Sequence, residues 1–119
     1  MKLDGVRLAI YDATDVIRSR RKEILHILET AEVYSKKIFI ETICDDESVL
    51  KQHIQMVQAS APDYQNMDPE SVVEDYMERR SYYMNIYEPL DDGDGSFIKV
   101  FNNKKYVIHN IRGYLPLKV

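Results

Sequence analysis

Three arginines, Arg18, Arg20 and Arg21, follow Asp12, Thr14 and Asp15 within ten positions. Just upstream lies an apolar segment, Val6 to Tyr11. Just downstream lies the helical pattern Ile24, Leu25, Leu28, Ala31. The spacing therefore predicts the end of a strand, a short turn and the start of a helix. Thr14 or Asp15 is the expected cap. Cations in the first turns of a helix face a dipole that is already positive, at a cost of roughly 0.3–1 kcal/mol each. A bound anion reverses that sign, because N-terminal N–H groups, a hydroxyl and arginines together make a phosphate site. The competing reading is an exposed helix end whose arginines pair with Asp12, Asp15 or Glu23.

A second set of acids, Asp45, Asp46 and Glu47, opens another helical pattern from Ser48 to about Ala59. Here charge and dipole agree, so capping accounts for these residues better than a metal does. Asp68-Pro69 marks the start of a third helix, running to about Tyr87. One stripe of it carries Val73, Met77, Arg80 and Met84. A neighbouring stripe carries Val72, Tyr76, Arg79, Tyr83 and Tyr87. Arg79 and Tyr83 stand one turn apart and can address one ligand, although a tyrosine stripe also serves packing. Cys44, at the end of the apolar run Lys37–Cys44, reads as a structural thiol or a nucleophile. The acidic loop Glu88–Gly95 matches no complete calcium loop.

These residues need a scaffold. Leu8–Tyr11 and Lys37–Cys44 read as strands around a first helix, Val16 to about Val33. That order implies a parallel βαβ unit. Ser96–Phe101 and Lys104–Ile111 read as a hairpin turning at Asn102-Asn103. Gly113 and Pro116 punctuate the end. The expected fold is α/β, with a parallel core, three main helices and a C-terminal β-hairpin.

The chain has 119 residues, 45% hydrophobic and 30% charged, with net charge −4 and pI about 5.3. That is the length of one small domain or part of a larger one. The charge argues against a broad nucleic-acid surface. No apolar run approaches the roughly 20 residues of a membrane span. No signal peptide is visible, and a lone cysteine fits a reducing compartment, so a cytoplasmic protein is expected. The four glycines, Gly5, Gly93, Gly95 and Gly113, open no Gly-x-x-x-x-Gly-Lys-Ser/Thr loop. A thin sheet beside three long helices suggests one partial domain over residues 1–119.

In order along the chain, Asp12-Ala13-Thr14, Arg18-x-Arg20-Arg21, Ile40-Glu41-Thr42-Ile43-Cys44-Asp45-Asp46 and Ala61-Pro62-Asp63-Tyr64 resemble a known family. Glu74-Asp75-Tyr76-Met77-x-Arg79, Tyr83, Pro89-Leu90-Asp91, Ser96–Val100 and Asn110-Ile111-Arg112 continue the series. The chain resembles the C-terminal half of the kinase domain of 6-phosphofructo-2-kinase/fructose-2,6-bisphosphatase. That resemblance implies a P-loop kinase-like fold. It also implies transfer of the ATP γ-phosphoryl, with Mg²⁺, to the 2-hydroxyl of fructose 6-phosphate. Asp12 and Cys44 correspond to active-site residues, and Thr14, Arg20, Arg79 and Tyr83 to residues that hold the sugar phosphate. His53 and Gln58 fall at nucleotide-side positions, where the family has asparagine and lysine. Asp15 replaces a usual asparagine. No protein metal site is implied. The P-loop half would lie upstream and the phosphatase domain downstream, so the 119 residues alone are expected to be inactive. The alternatives are a non-catalytic sugar-phosphate-binding or assembly module, and another small-molecule P-loop kinase. The hairpin edge allows either a homodimer or cover within one chain.

Overall fold

The computed structural model describes residues 8–112. Its elements are α1 (Arg18–Thr30), β1 (Phe39–Ile43), α2 (Glu47–Ser60), α3 (Pro69–Ile86), β2 (Phe97–Phe101) and β3 (Lys105–His109). Single 3₁₀ turns lie at Pro62–Tyr64 and Asp92–Asp94. The three strands form one mixed sheet in the order β1-β2-β3. β1 runs parallel to β2, from Phe39 opposite Phe97 to Ile43 opposite Phe101. β2 runs antiparallel to β3. The fold is α/β, with three helices and a three-stranded sheet.

The expected strand over Leu8–Tyr11 does not form. These residues are irregular and exposed, Leu8 at 78% and Ile10 at 85%. Val6 and Arg7 of that expected segment lie outside the described residues, as do Gly5, Gly113 and Pro116. An apolar run becomes a strand only where a neighbour takes its backbone groups. Nearby, the Val16 carbonyl instead accepts from the Glu88 amide, at 2.8 Å. The parallel pair is therefore β1 with the first strand of the hairpin, and the crossover between them carries α2 and α3.

The hairpin turns as its sequence predicts. Asn102 and Asn103 both hold positive φ, 51° and 56°. The Lys104 amide closes the turn on the Phe101 carbonyl at 2.9 Å. Two left-handed residues match the twist of the flanking strands, and asparagine tolerates that conformation. Asn102 also fastens the turn to the start of α2. Its Oδ1 accepts from the amides of Asp45 and Asp46, at 3.0 and 3.1 Å, and its Nδ2 donates to Asp45.

The helix starts follow their acids at two of three places. The Asp46 carboxylate accepts from the amides of Ser48 and Val49, and Asp68 caps α3 through Ser71. Those bonds hold both carboxyls below the usual range; the Ser48 and Ser71 hydroxyls contribute most. α1 differs: it starts at Arg18, and neither Thr14 nor Asp15 caps it. Its first amide donates instead to the Glu88 carboxylate at 2.5 Å. α1 also ends earlier than its apolar pattern, because Glu32 turns left-handed at φ 56°. The amides of Glu32 and Val33 then bond back to the carbonyls of Glu29 and Leu28, at 3.0 and 2.9 Å.

The apolar core is small. Ile54, Tyr64 and Val72 pack where α2, the Pro62–Tyr64 turn and α3 meet, with Leu50, Val57 and Tyr76 against them. Val72 alone among the described residues has its side chain fully buried.

Candidate sugar-phosphate cleft

The core opens into a cleft of about 490 Å³ between the end of α2, the second half of α3 and the irregular segment before α1. Thr14 and Val16 form one wall. Tyr76, Arg79, Arg80, Tyr83, Met84 and Tyr87 form the other. Those six positions mark one helical face, at the border between the two stripes read in the sequence. Val57, Ala61, Asp63 and Tyr64 complete the lining.

Arg79 is anchored without being hidden. Its Nε lies 3.0 Å from the Asp75 carboxylate, one turn back, and its side chain is 61% exposed. The same carboxylate accepts from the Tyr64 hydroxyl at 2.6 Å. The Arg79 guanidinium also lies 5.9 Å from the centre of the Tyr64 ring. The hydrogen bond to Asp75, then burial, raise the Tyr64 phenol above its ordinary value, so it stays protonated and donating. Arg80 points inward and donates to the Cys44 carbonyl at 3.1 Å. Tyr87 is half-buried; burial first, then the neighbouring Glu41 carboxylate, push its phenol far up. The cleft thus offers two cations, several neutral hydroxyls and one acid, Asp63. That combination suits an anion with hydroxyl groups around it.

Of the residues singled out in the sequence, Thr14, Arg79 and Tyr83 meet in this cleft. Asp12 is exposed, two residues before Thr14. Arg20 does not line the cleft; its Nη1 lies 2.7 Å from Glu23 and its Nε 3.7 Å from Asp15. Cys44 is half-buried at the end of β1, its Sγ 3.8 Å from the Asp46 carbonyl. It reaches the cleft wall only through its carbonyl on Arg80. His53 is exposed on α2, with its ring edge against Tyr76 at 5.9 Å. Gln58 is half-buried next to the lining residue Val57. Among the described residues, no group of three or more His, Cys, Asp or Glu could hold a metal ion. No helix among them is long and apolar enough to cross a membrane.

Sequence reasoning did not place Arg80, Tyr64 or Tyr87 in a site. Arg80 and Tyr87 stood on the two α3 stripes, and Tyr64 followed Pro62. Which stripe faces the cleft depends on where α2 packs, and α3 alone does not carry that information.

The partners of the other two arginines lay outside local reading as well. Arg18 pairs with Asp91. Arg21 is buried, and Asp94 with it. Burial works to raise the Asp94 carboxyl, but the bond from Arg21 and the Asp91 amide hold it below the usual range. The acidic loop and the arginine-rich helix are thus each other's partners.

The family model for 6-phosphofructo-2-kinase matches residues 1–119. The chain is 39% identical over 112 residues to the 6-phosphofructo-2-kinase/fructose-2,6-bisphosphatase of Aquarana catesbeiana, covering 91% of this chain and 23% of that protein. It is 33% identical over 121 residues to 6-phosphofructo-2-kinase/fructose-2,6-bisphosphatase 3 of Rattus norvegicus, covering 98% and 21%. It is 34% identical over 110 residues to 6-phosphofructo-2-kinase 1 of Saccharomyces cerevisiae, covering 91% and 13%. The chain therefore spans about a quarter or less of the curated relatives it matches. By a match along its whole length, the chain belongs to the 6-phosphofructo-2-kinase family.

Proposed function

We propose that this chain supplies the sugar-phosphate side of a 6-phosphofructo-2-kinase, and that the cleft holds fructose 6-phosphate. One observation carries the reading: Thr14 and the pair Arg79 and Tyr83, far apart in sequence, line the same cleft. The Arg79 fork grips the 6-phosphate, while Thr14 and Tyr83 hydrogen-bond the sugar. Arg20, the other fork that the family resemblance implies, stands outside this cleft on α1, in an exposed pair with Glu23. In the reaction the 2-hydroxyl oxygen bonds to the γ-phosphorus of ATP as the bond to the β-phosphate oxygen breaks, ADP leaves, and the hydroxyl proton is released to solvent. Catalysis of this kind is mostly positioning and charge neutralisation.

Asp12 sits on the segment that carries Thr14 and orients the 2-hydroxyl. Cys44, His53 and Gln58 lie toward β1 and α2, on the nucleotide side. The described residues form no cage for the Mg²⁺ that accompanies ATP in such kinases. No P-loop exists within the 119 residues, so this chain by itself makes no fructose 2,6-bisphosphate. The outer edges of β1 and β3 have no strand partner among the described residues, and a homodimer would use one of them.

The test is Arg79→Ala in the full-length protein. Losing a charged hydrogen bond costs about 1.5–3 kcal/mol, or roughly tenfold to a hundredfold in affinity. The KM for fructose 6-phosphate should rise by that factor while the KM for ATP holds. A folded variant with unchanged sugar-phosphate KM removes the cleft from the reaction.

A further inference from the structure

One guanidinium fastens both walls of the cleft without touching its interior. Arg21 Nη1 donates to the Asp15 carbonyl at 3.3 Å and to the Glu88 carbonyl at 3.0 Å. Asp15 is the residue after Thr14, and Glu88 is the residue after Tyr87. The same side chain grips Asp94 with both ends of its fork, Nε to Oδ1 at 2.8 Å and Nη2 to Oδ2 at 3.1 Å. Asp94 in turn accepts from the Asp91 amide at 3.0 Å, which closes the loop on itself. The Glu88 amide completes the tie by donating to the Val16 carbonyl at 2.8 Å. Arg21 itself is only 3% exposed and does not line the cleft.

We propose that Arg21 is the positioning residue of the cleft, setting the distance between the Thr14 wall and the Tyr83–Tyr87 wall through the carbonyls of Asp15 and Glu88. The proposal rests on the reading of the cleft as the fructose 6-phosphate site. A planar fork can face a carboxylate on one side and two carbonyls on another at the same time. A lysine keeps the charge and loses that geometry. Shifts of about 1 Å in a positioning group cost up to a hundredfold in rate or affinity. Arg21 therefore sets sugar-phosphate affinity rather than overall stability alone.

The experiment is Arg21→Lys in the full-length protein, beside Thr14→Ala, Arg79→Ala and the double variant Thr14→Ala/Arg21→Lys. Arg21→Lys should raise the KM for fructose 6-phosphate roughly tenfold, with the KM for ATP within about twofold. The double variant should lose less than the product of the single effects, because both act on one wall. If Arg21→Lys does not fold, Asp94→Asn, which keeps the shape and loses the charge, should show the same split. A lower melting temperature with unchanged sugar-phosphate KM overturns the proposal, as does loss of folding in both variants. Effects of Arg21→Lys and Thr14→Ala that simply multiply overturn it too. Unchanged KM in Arg79→Ala and Thr14→Ala removes the cleft reading first, and this proposal with it.

Discussion

The arginines of α1 are alike in sequence and divided in role. Arg21 is buried on Asp94, Arg18 pairs with Asp91, and Arg20 stays at the surface between Glu23 and Asp15. Arg20 keeps two carboxylate partners, Glu23 at 2.7 Å and Asp15 at 3.7 Å, and a ligand would have to replace both. Exposed pairs of this kind are worth roughly 0.2–1 kcal/mol. Asp15→Asn should therefore lower the KM for fructose 6-phosphate by up to about fivefold in the full-length enzyme. A steady-state titration of the sugar phosphate measures this, and a rise in KM would place Asp15 on the productive side of the site. Thr14, Arg79 and Tyr83 were legible as a group only through the family resemblance. Nothing local in the sequence relates Thr14 to α3, because the contact is made by tertiary packing.

At the scale of elements, boundaries set by a neighbouring side chain were readable and those set from a distance were not. Asp46 and Asp68 cap the helices that follow them directly, and Asn102-Asn103 turns the hairpin it sits in. The α1 start escaped, because its acceptor, Glu88, lies 70 positions away. The β1–β2 pairing escaped for the same reason: an apolar run does not name its neighbour. Two measurements check the local devices. Asp68 has its carboxyl held down in the fold, so its contribution to stability is full above the ordinary aspartate value near 3.8 and fades as pH falls through the lower folded value. Asp68→Ala should lower the melting temperature at pH 7, and the gap to wild type should close in acid. A gap that is the same at both pH values would mean the charge is irrelevant to the cap. Glu32 holds a left-handed conformation that costs a side chain roughly 1–2 kcal/mol. Glu32→Gly should raise stability by about 0.5–1 kcal/mol in denaturant unfolding, after the extra chain entropy of glycine is counted. A loss of stability would mean that the Glu32 side chain makes a contact worth more than its strain.

The molecule as a whole keeps much apolar surface in water. Its Cα radius of gyration is 17.0 Å, with extents of 47 × 31 × 29 Å. A compact domain of about 100 residues has a radius near 13 Å. Ile40, Ile98 and Ile108 stand side by side across the three strands, with Ile40 67% and Ile108 59% exposed. Tyr106 lies on the same face. Such a patch marks a surface built to be covered. The sequence carried that message as three amphipathic helices beside too few strands, although it misplaced the strand next to β1. The isolated 119-residue chain should therefore melt over a broad range, bind a hydrophobic dye, and form no fructose 2,6-bisphosphate from Mg-ATP and fructose 6-phosphate. A sharp cooperative transition would show that the small core around Val72 suffices, and turnover abolished by Asp12→Ala would show that the P-loop is dispensable.

The parallel pairing of β1 with β2 also sets a timetable. Phe39 leaves the ribosome long before Phe97, and at ~5–20 residues per second the wait is roughly three to twelve seconds. Throughout it, Phe39-Ile40-Glu41-Thr42-Ile43 waits for its β2 partner, while α2 and α3 are already able to coil. The hairpin closes within microseconds of its own synthesis, because its two strands are joined by only three residues. The order of assembly is thus the reverse of the order of synthesis: the last strands form first, and the earliest one docks onto them. During that interval the β1 edge that β2 will cover is open to other strands.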